Sequence, residues 1–552
     1  MMEQTLQYKE VNGLFKNKGD FVEWLKFKDN ISLNLSHREF GDYQTPSGLV
    51  KRVYDVLEYK KISYSEIIEP TCGEGNFIKE ALSRNNRDEL NIKKIIGIEK
   101  QHGYVDELRN YIISKKLYEE VDIELYEENF FEFDFSKTTF NNLLVIGNPP
   151  WITNSELTSL KSDNLPEKSN FKKSKGMDAL TGKSNFDIAE FILISLIDNV
   201  NANGKGTIAF LVKNIVIRNI LKYSKDIDWN ITTFEVYNFD AKKEFGVSTD
   251  ASLVLIRIGE EKKKVEQAVV YSIYDYTKPI SKFGWVGTEF VSNVDKYLLG
   301  KLVEKGQAKE EHFIWRSGIK HDASKVMELS NCQEGIIAKD GTVFNADQSC
   351  IYPLYKSSDI SKIEKDSIPR KFVIVTQRKI GESTDEIERQ DKKTWKYLLR
   401  NKNVLDNRKS SIYKGKPQFS IFGVGEYSFS KYKIAISGMY KIAKFSLIEP
   451  YKGKTVMVDD TVYFLSTDNK IDALIIFGLL NNQIVKAFLE SIVFTDSKRP
   501  YTKEILMRIS IPKITKYVSL EEINQVLEMH HYDFITQKEY NRFISNFNII
   551  HS

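Results

Sequence analysis

Cysteine is scarce: Cys72, Cys332 and Cys350 are the only three in 552 residues. The odd number, the lack of a Cys-x-x-Cys spacing and the low density exclude a zinc site of the usual pattern and a secreted disulfide scaffold. No segment reaches the roughly 18 uncharged apolar residues of a membrane span. The opening residues, MMEQTLQYKEVNGLFKNKGDF, are charged throughout. They hold no apolar stretch before a small-residue cleavage site, so a secretory signal is not expected and the cytoplasm is the expected location. A charge imbalance is also missing. Eighty basic against 76 acidic residues leave a net +4, too little to diagnose a nucleic-acid partner, which depends on a patch rather than a sum. No internal repeat is visible. No Asp followed by a Glu/Asp-x-Lys pair sits clearly on a strand, so a fused nuclease is not expected.

What is present is core material and a recurring pattern. With 41% apolar and 12% aromatic residues, and single cores rarely growing past about 250 to 300 residues, at least two domains are expected. From about Gly41 to Gly259 short apolar runs alternate with helix-like stretches: YSEIIEP, FIKEALSR, IKKIIGIEK, YVDELRNYIIS, VDIELYE and LLVIGNPP. This is the pattern of an α/β parallel sheet. FDIAEFILISLIDNV has helical periodicity, and TIAFLVK, TTFEVYNF and ASLVLIRIG read as three more strands, the last pair as an antiparallel edge hairpin. Between Trp151 and Phe186 lies a polar stretch too long for an ordinary connection. It reads as a mobile loop at 152–185, either a disordered insertion or a lid that orders on substrate. Regularity fades after about residue 285, which puts a catalytic domain at 1–285 and a mixed α+β domain at 286–552.

Four strand ends in that pattern carry chemically informative residues. EPTCGEGNF, Glu69 to Phe77, holds a Gly-x-Gly turn that lets backbone approach a ligand at the carboxyl end of a strand; alone, it is as readily a tight structural turn. Thirty positions on, KIIGIEK ends in Glu99, where a carboxylate can accept both hydroxyls of a ribose; alone, it is a solvated strand end. ELYEENFFEF offers Asn129 and Phe130 to the edge and face of an adenine ring, or simply a core Phe beside a loop Asn. LLVIGNPPW stops at Asn148 and two prolines that cannot donate ladder hydrogen bonds, so Asn148 and Trp151 are presented beyond the strand. The three upstream strand ends argue against a mere turn at Asn148-Pro149-Pro150-Trp151.

Together, over roughly Phe40 to Gly259, these residues resemble the gamma-class amino methyltransferases of DNA, the group of the TaqI-type adenine methyltransferases. The resemblance implies a Rossmann-like, S-adenosylmethionine-dependent catalytic domain followed by a target-recognition domain. FGDYQTP, Phe40 to Pro46, is similar to the family's Thr-Pro element and implies that Thr45 lies against the cofactor's methionine part. Glu69, Cys72, Gly73 and Gly75 resemble the cofactor-cradling turn, and Glu99 the ribose-binding acid. The family usually has Asp where this chain has Asn129, whose carbonyl can still accept from an adenine amino group. NPPW fits the family's Asn-Pro-Pro-aromatic element without strain, and Phe245 is the looser candidate for an aromatic beside the target base.

The implied activity is transfer of a methyl group to N6 of a flipped-out adenine. The N6 lone pair is delocalised into the ring; the Asn148 side-chain oxygen and the Pro149 backbone oxygen are the acceptors expected to localise it, by preorganised electrostatics rather than strong-base catalysis. Trp151 supplies one stacking face for the base and Phe245 the other. No metal is expected. The region Arg370 to Lys454 interleaves cations and aromatics, as in KKTWKYLLRNK, a mixture suited to phosphate contact and groove reading. Double-stranded DNA is therefore the expected partner, in a restriction-modification or related defence system whose nuclease is a separate protein; no membrane partner is expected. Methylation of RNA, of a protein glutamine or of cytosine N4 uses related chemistry, and a DNA-binding methyltransferase-like subunit that needs a partner is the non-enzyme alternative.

Overall fold

The computed structural model describes residues 7–27, 44–85, 90–135, 142–152, 187–259, 264–306, 313–333, 335–345 and 348–548. The loop expected at 152–185 lies outside them except for Ile152, as do Phe40 to Tyr43 of the Thr-Pro element. The chain divides into two compact units, Met1–Val294 and Asp295–Ser552.

The first unit is built on a ten-stranded sheet. Its centre is β1 (Glu66–Glu69), β2 (Lys94–Glu99), β3 (Asp122–Glu127), β4 (Leu143–Gly147) and β5 (Gly206–Lys213), all parallel, in the order β3-β2-β1-β4-β5. Parallel strands covered on both faces read as continuous apolar runs, and LLVIG of β4 is buried at every position. Helices α2 (Ser47–Tyr59), α3 (Asn76–Asn85), α4 (His102–Ser114) and α5 (Ile188–Ala202) precede or cross between these strands. After β1 the chain moves outward to β2 and β3, then returns to place β4 on β1's other side. Such a reversal of strand order opens a crevice at the strands' carboxyl ends.

β6 (Ile231–Asn238) and β7 (Ala251–Ile258) pair antiparallel as expected, but not at the sheet edge. β7 inserts between β5 and β6, and β8 (Gln267–Ser272), β9 (Ser281–Val286) and β10 (Glu289–Val291) extend the sheet beyond β6. QAVVYS of β8 is buried at alternate positions only, so it lacks the long apolar run that marks the inner strands. α6 (Asn214–Tyr223) follows β5, and the short α7 (Ala241–Phe245) joins β6 to β7.

The opposite edge is covered by the N-terminal segment. Val11, Leu14, Phe15, Phe21 and Trp24, the last two on α1 (Lys18–Phe27), are buried in the core. Arg109 of α4, fully buried, donates to the Leu14 carbonyl at 2.7 Å, pairs with Asp106 and Asp20 at 2.8 and 3.2 Å, and lies over the Phe15 ring. A covered edge cannot recruit a foreign strand.

The second unit is mixed α and β. One sheet runs β14 (Val343–Phe344), β13 (Gly335–Ile337), β12 (Glu328–Cys332), β16 (Lys371–Ile374), β15 (Ile351–Tyr355), β19 (Met457–Val458). The other runs β11 (Arg316–Ser317), β20 (Val462–Thr467), β17 (Tyr432–Ser437), β18 (Ser446–Ile448). α8 (Lys392–Arg400) packs Trp395, Tyr397 and Leu398 into the same apolar cluster as β12, β15 and β16. Among the described residues no single helix is long and apolar enough to cross a membrane. The apolar pair α9 (Lys470–Leu480) and α10 (Gln483–Ile492) breaks by 59° and buries Ile475, Leu479 and Phe488.

Candidate active site

The turn after β1 is bent by two glycines. Gly73 and Gly75 have φ of +50° and +71°, values most L side chains avoid. A Cβ on Gly73 would lie 2.6 Å from Gln44 Nε2, and one on Gly75 2.7 Å from the Leu108 side chain. The Cys72 amide donates to the Ile98 carbonyl at 2.9 Å, which hooks the turn to β2. The Gly73 amide donates to Glu99 Oε2 and the Gln101 amide to Glu99 Oε1, each at 2.9 Å. Both carboxylate oxygens thus face backbone amides.

Glu69 ends β1 and is 2% exposed. It accepts from the Ile78 amide at 3.2 Å and has no ion-pair partner within 4 Å among the described residues. Burial pushes its carboxyl well above the usual carboxylate range, against the Ile78 hydrogen bond; the nearby Glu99 charge pushes the same way. Burial likewise raises the Cys72 thiol, so Cys72 is a packed wall residue, not a thiolate. The hydroxyl of Thr71 is buried with no hydrogen-bond partner among the described residues.

These groups line one cleft with about 1020 Å³ of empty space, part of it open to solvent. Thr45, Glu69, Cys72, Gly73, Glu99, Asn129, Phe130 and Asn148 all border it. Gly75 does not border it; it shapes the turn behind. A buried acid that lacks a cation and an orphaned hydroxyl fit the ammonium and hydroxyl groups of S-adenosylmethionine.

Asn129 caps a single turn, Phe130–Glu132, its side-chain oxygen accepting from the Phe131 amide at 3.2 Å. One lone pair of that oxygen and the NH2 group remain for a ligand edge. Phe130 is buried, edge-on to Phe131 at 5.4 Å, and presents its remaining surface to the cleft.

At the end of β4, Asn148 is half-buried with its side-chain oxygen fully enclosed, and Pro149 is buried. Trp151 is 7% exposed and donates from Nε1 to the Leu211 carbonyl of β5 at 3.1 Å. Phe245 meets it edge to face, ring centroids 5.1 Å apart and planes at 67°. The two rings are brought together, but they do not form the two-walled slot expected from the sequence. A base between parallel rings needs two stacking distances of roughly 3.5 to 4 Å each, and an edge-to-face pair in contact leaves no such gap.

Sequence reasoning missed several members of the site. Gln44 accepts from the Glu74 amide at 3.2 Å, and Asn76 donates to the Thr45 carbonyl at 3.1 Å. Asp187 caps α5 through the Ala189 amide and forms an ion pair of 2.9 Å with Lys213 at the end of β5. That pair fixes the start of the helix whose Ile188 and Ile192 wall the cleft. An acid just before an apolar helix is a legible cap signal; its lysine partner is not.

A scan against models of known protein families matches none. A type II methyltransferase of Nostoc sp. (strain ATCC 29411 / PCC 7524), M.NspV, is 37% identical over 486 residues, 87% of this chain and 98% of that one. Among solved structures, the type IIL restriction-modification enzyme MmeI in complex with DNA aligns over 88% of this chain with a TM-score of 0.50 and 12% identity, a likeness of fold alone. This chain spans 65% of the length of that structure. The M protein of the type I restriction enzyme EcoKI aligns over 46% of this chain and 51% of that one, at 14% identity and a TM-score of 0.31, too low to bear on architecture. On the M.NspV match, which runs nearly end to end, the chain belongs to the type II methyltransferases of restriction-modification systems.

Proposed function

We propose that this chain transfers the methyl group of S-adenosylmethionine to the N6 amino nitrogen of an adenine rotated out of double-stranded DNA, as the modification enzyme of a restriction-modification or related defence system. One observation carries the reading: Asn148, at the carboxyl end of β4, borders the same cleft as Glu69, Gly73, Glu99 and Asn129.

S-adenosylmethionine supplies a methyl group on a sulfonium sulfur, a good electrophile. Glu69 and Thr45 hold its amino-acid end, Glu99 its ribose hydroxyls, and Asn129 and Phe130 the edge and face of its adenine. The Asn148 side-chain oxygen and the Pro149 carbonyl accept the two amino hydrogens of the target base. That draws the nitrogen towards a tetrahedral shape with its lone pair free, and the excess proton leaves to water. Orientation adds a large effective molarity. The target base packs against the Trp151–Phe245 pair rather than between its rings, and such stacking is worth roughly 1 to 3 kcal/mol. The second unit, with its cation- and aromatic-rich stretch from Arg370 to Lys454, reads the DNA sequence.

The test is transfer of labelled methyl groups by the purified chain to unmethylated DNA, RNA and glutamine-containing protein in parallel, with mass spectrometry of the digested DNA. Label in DNA as N6-methyladenine is the expected result. N4-methylcytosine, or label confined to RNA or protein, overturns it.

A further inference from the structure

Lysines sit at the wrong end of α8. Its first turn holds Lys392 and Lys393 and no acid, whereas the positive end of a helix dipole favours carboxylates there. Lys392, Lys393, Lys396 and Arg400 are exposed, while Thr394, Trp395, Tyr397 and Leu398 are buried. The buried side is firmly held: the Tyr397 hydroxyl donates to the Val326 carbonyl at 2.9 Å, and Trp395 packs edge-on against Phe419. Glu386 and Glu388 are exposed on the short helix before it, and the N-cap acid, Asp391, is 7% exposed and turned inward, accepting from the Thr394 amide and hydroxyl and from Gln348. Among the described residues, Lys392, Lys393 and Lys396 form no ion pair within 4 Å, whereas Arg400 donates to the Thr342 hydroxyl at 3.0 Å and interacts electrostatically with Asp340. The result is a firmly held helix whose exposed side carries Lys392, Lys393, Lys396 and Arg400 together with Leu399, the two first-turn lysines placed against the helix dipole. A broken local rule of this kind is expected where a partner supplies the missing interaction.

The geometry points to α8 as a phosphate-contacting helix, its occupant the backbone of duplex DNA held by Lys392, Lys393, Lys396 and Arg400. At 1.5 Å per residue the cationic face is ~12 Å long, and at 3.4 Å of axis per phosphate on each strand it spans about three to four phosphates. The contacts carry no base information; they set the register of the second unit on the duplex. This inference rests on the DNA substrate proposed above.

The test uses the full chain with Lys392→Gln, Lys393→Gln and Lys396→Gln combined, unmethylated genomic DNA as methyl acceptor, and a series of salt concentrations. KM for DNA should rise at least ~10-fold, and its dependence on salt should become shallower by about one unit of logarithmic slope per lost contact. kcat should stay within about twofold. The melting temperature should hold or rise, because the unfavourable first-turn charges are gone, and the triple Lys→Arg variant should restore KM. An unchanged KM and salt slope in the Gln variant, with an active wild type, overturns the role of α8 and leaves the proposed activity standing. A lower melting temperature with loss of kcat overturns it too, in favour of a structural role. A wild type that labels no DNA overturns the proposed activity and this inference with it.

Discussion

The Gly73 amide nitrogen lies 2.9 Å from Glu99 Oε2, so the turn after β1 and the end of β2 are joined before any ligand arrives. Glu99 therefore braces the turn as well as bordering the cleft. Gly73→Ala should weaken the turn: its φ of +50° is one that most side chains avoid, and the added Cβ displaces Gln44 Nε2, which it would meet at 2.6 Å. Backbone strain of this kind costs of order 1 to 3 kcal/mol. Calorimetric titration with S-adenosylmethionine should show at least ~10-fold weaker binding, along with a lowered melting temperature.

Asn148→Ala should abolish transfer while leaving cofactor affinity within about threefold. Removing one preorganised group of this type costs roughly 10²–10³ in kcat, and the loss should lie in kcat rather than in KM for DNA. Transfer undiminished in that variant sinks the proposed mechanism.

Glu69 gives a pH prediction whose sign is opposite to the usual acid case. Its folded carboxyl is raised by burial, so between the unfolded and folded values the native state binds the extra proton. Stability of the ligand-free protein then falls as pH rises through that window. Glu69→Gln keeps an acceptor for the Ile78 amide and removes the buried charge. It should match or exceed the wild-type melting temperature at pH 8 without ligand, yet bind S-adenosylmethionine at least ~10-fold more weakly. A variant both less stable and unchanged in binding contradicts the assignment.

Lys213→Met removes the cation from the 2.9 Å pair with Asp187. Breaking a buried pair costs about 3 to 5 kcal/mol. Because Asp187 caps α5, exchange of the α5 amides should speed up in a hydrogen-exchange experiment more than exchange in β1 or β2.

Trp151→Phe keeps a ring but leaves the Leu211 carbonyl without its 3.1 Å donor. A loss of about 1 to 3 kcal/mol is expected in denaturant unfolding. Trp151→Ala should cost more, about 3 to 5 kcal/mol, since it also opens a cavity, and should raise KM for DNA.

The centre of the fold was legible because each inner strand is an apolar run that stops at a polar residue. β1 stops at Glu69, β2 at Glu99 and β4 at Asn148, and the sheet delivers these ends to one crevice. The strands β8 to β10 were not legible, because one-sided burial leaves Gln267–Ser272 too polar to stand out. Nor was the Lys213–Asp187 pair, since its members come from elements 26 residues apart and nothing in either local pattern names the other. The edge-to-face meeting of Trp151 with Phe245 depends on ring orientation, which residue type does not determine. Gln44 and Thr71 are ordinary polar residues until the fold sets them against the cleft.

The N-terminal segment has a consequence for how the chain is made. Leu14 finds its partner in Arg109, 95 residues later, and at a synthesis rate of about 5 to 20 residues per second that partner appears roughly 5 to 20 seconds after it. During that interval Phe15, Phe21 and Trp24 have no core to enter. The nascent chain is then open to chaperones and to aggregation, and slowing translation between those two points should lower the soluble yield of this protein more than slowing it elsewhere.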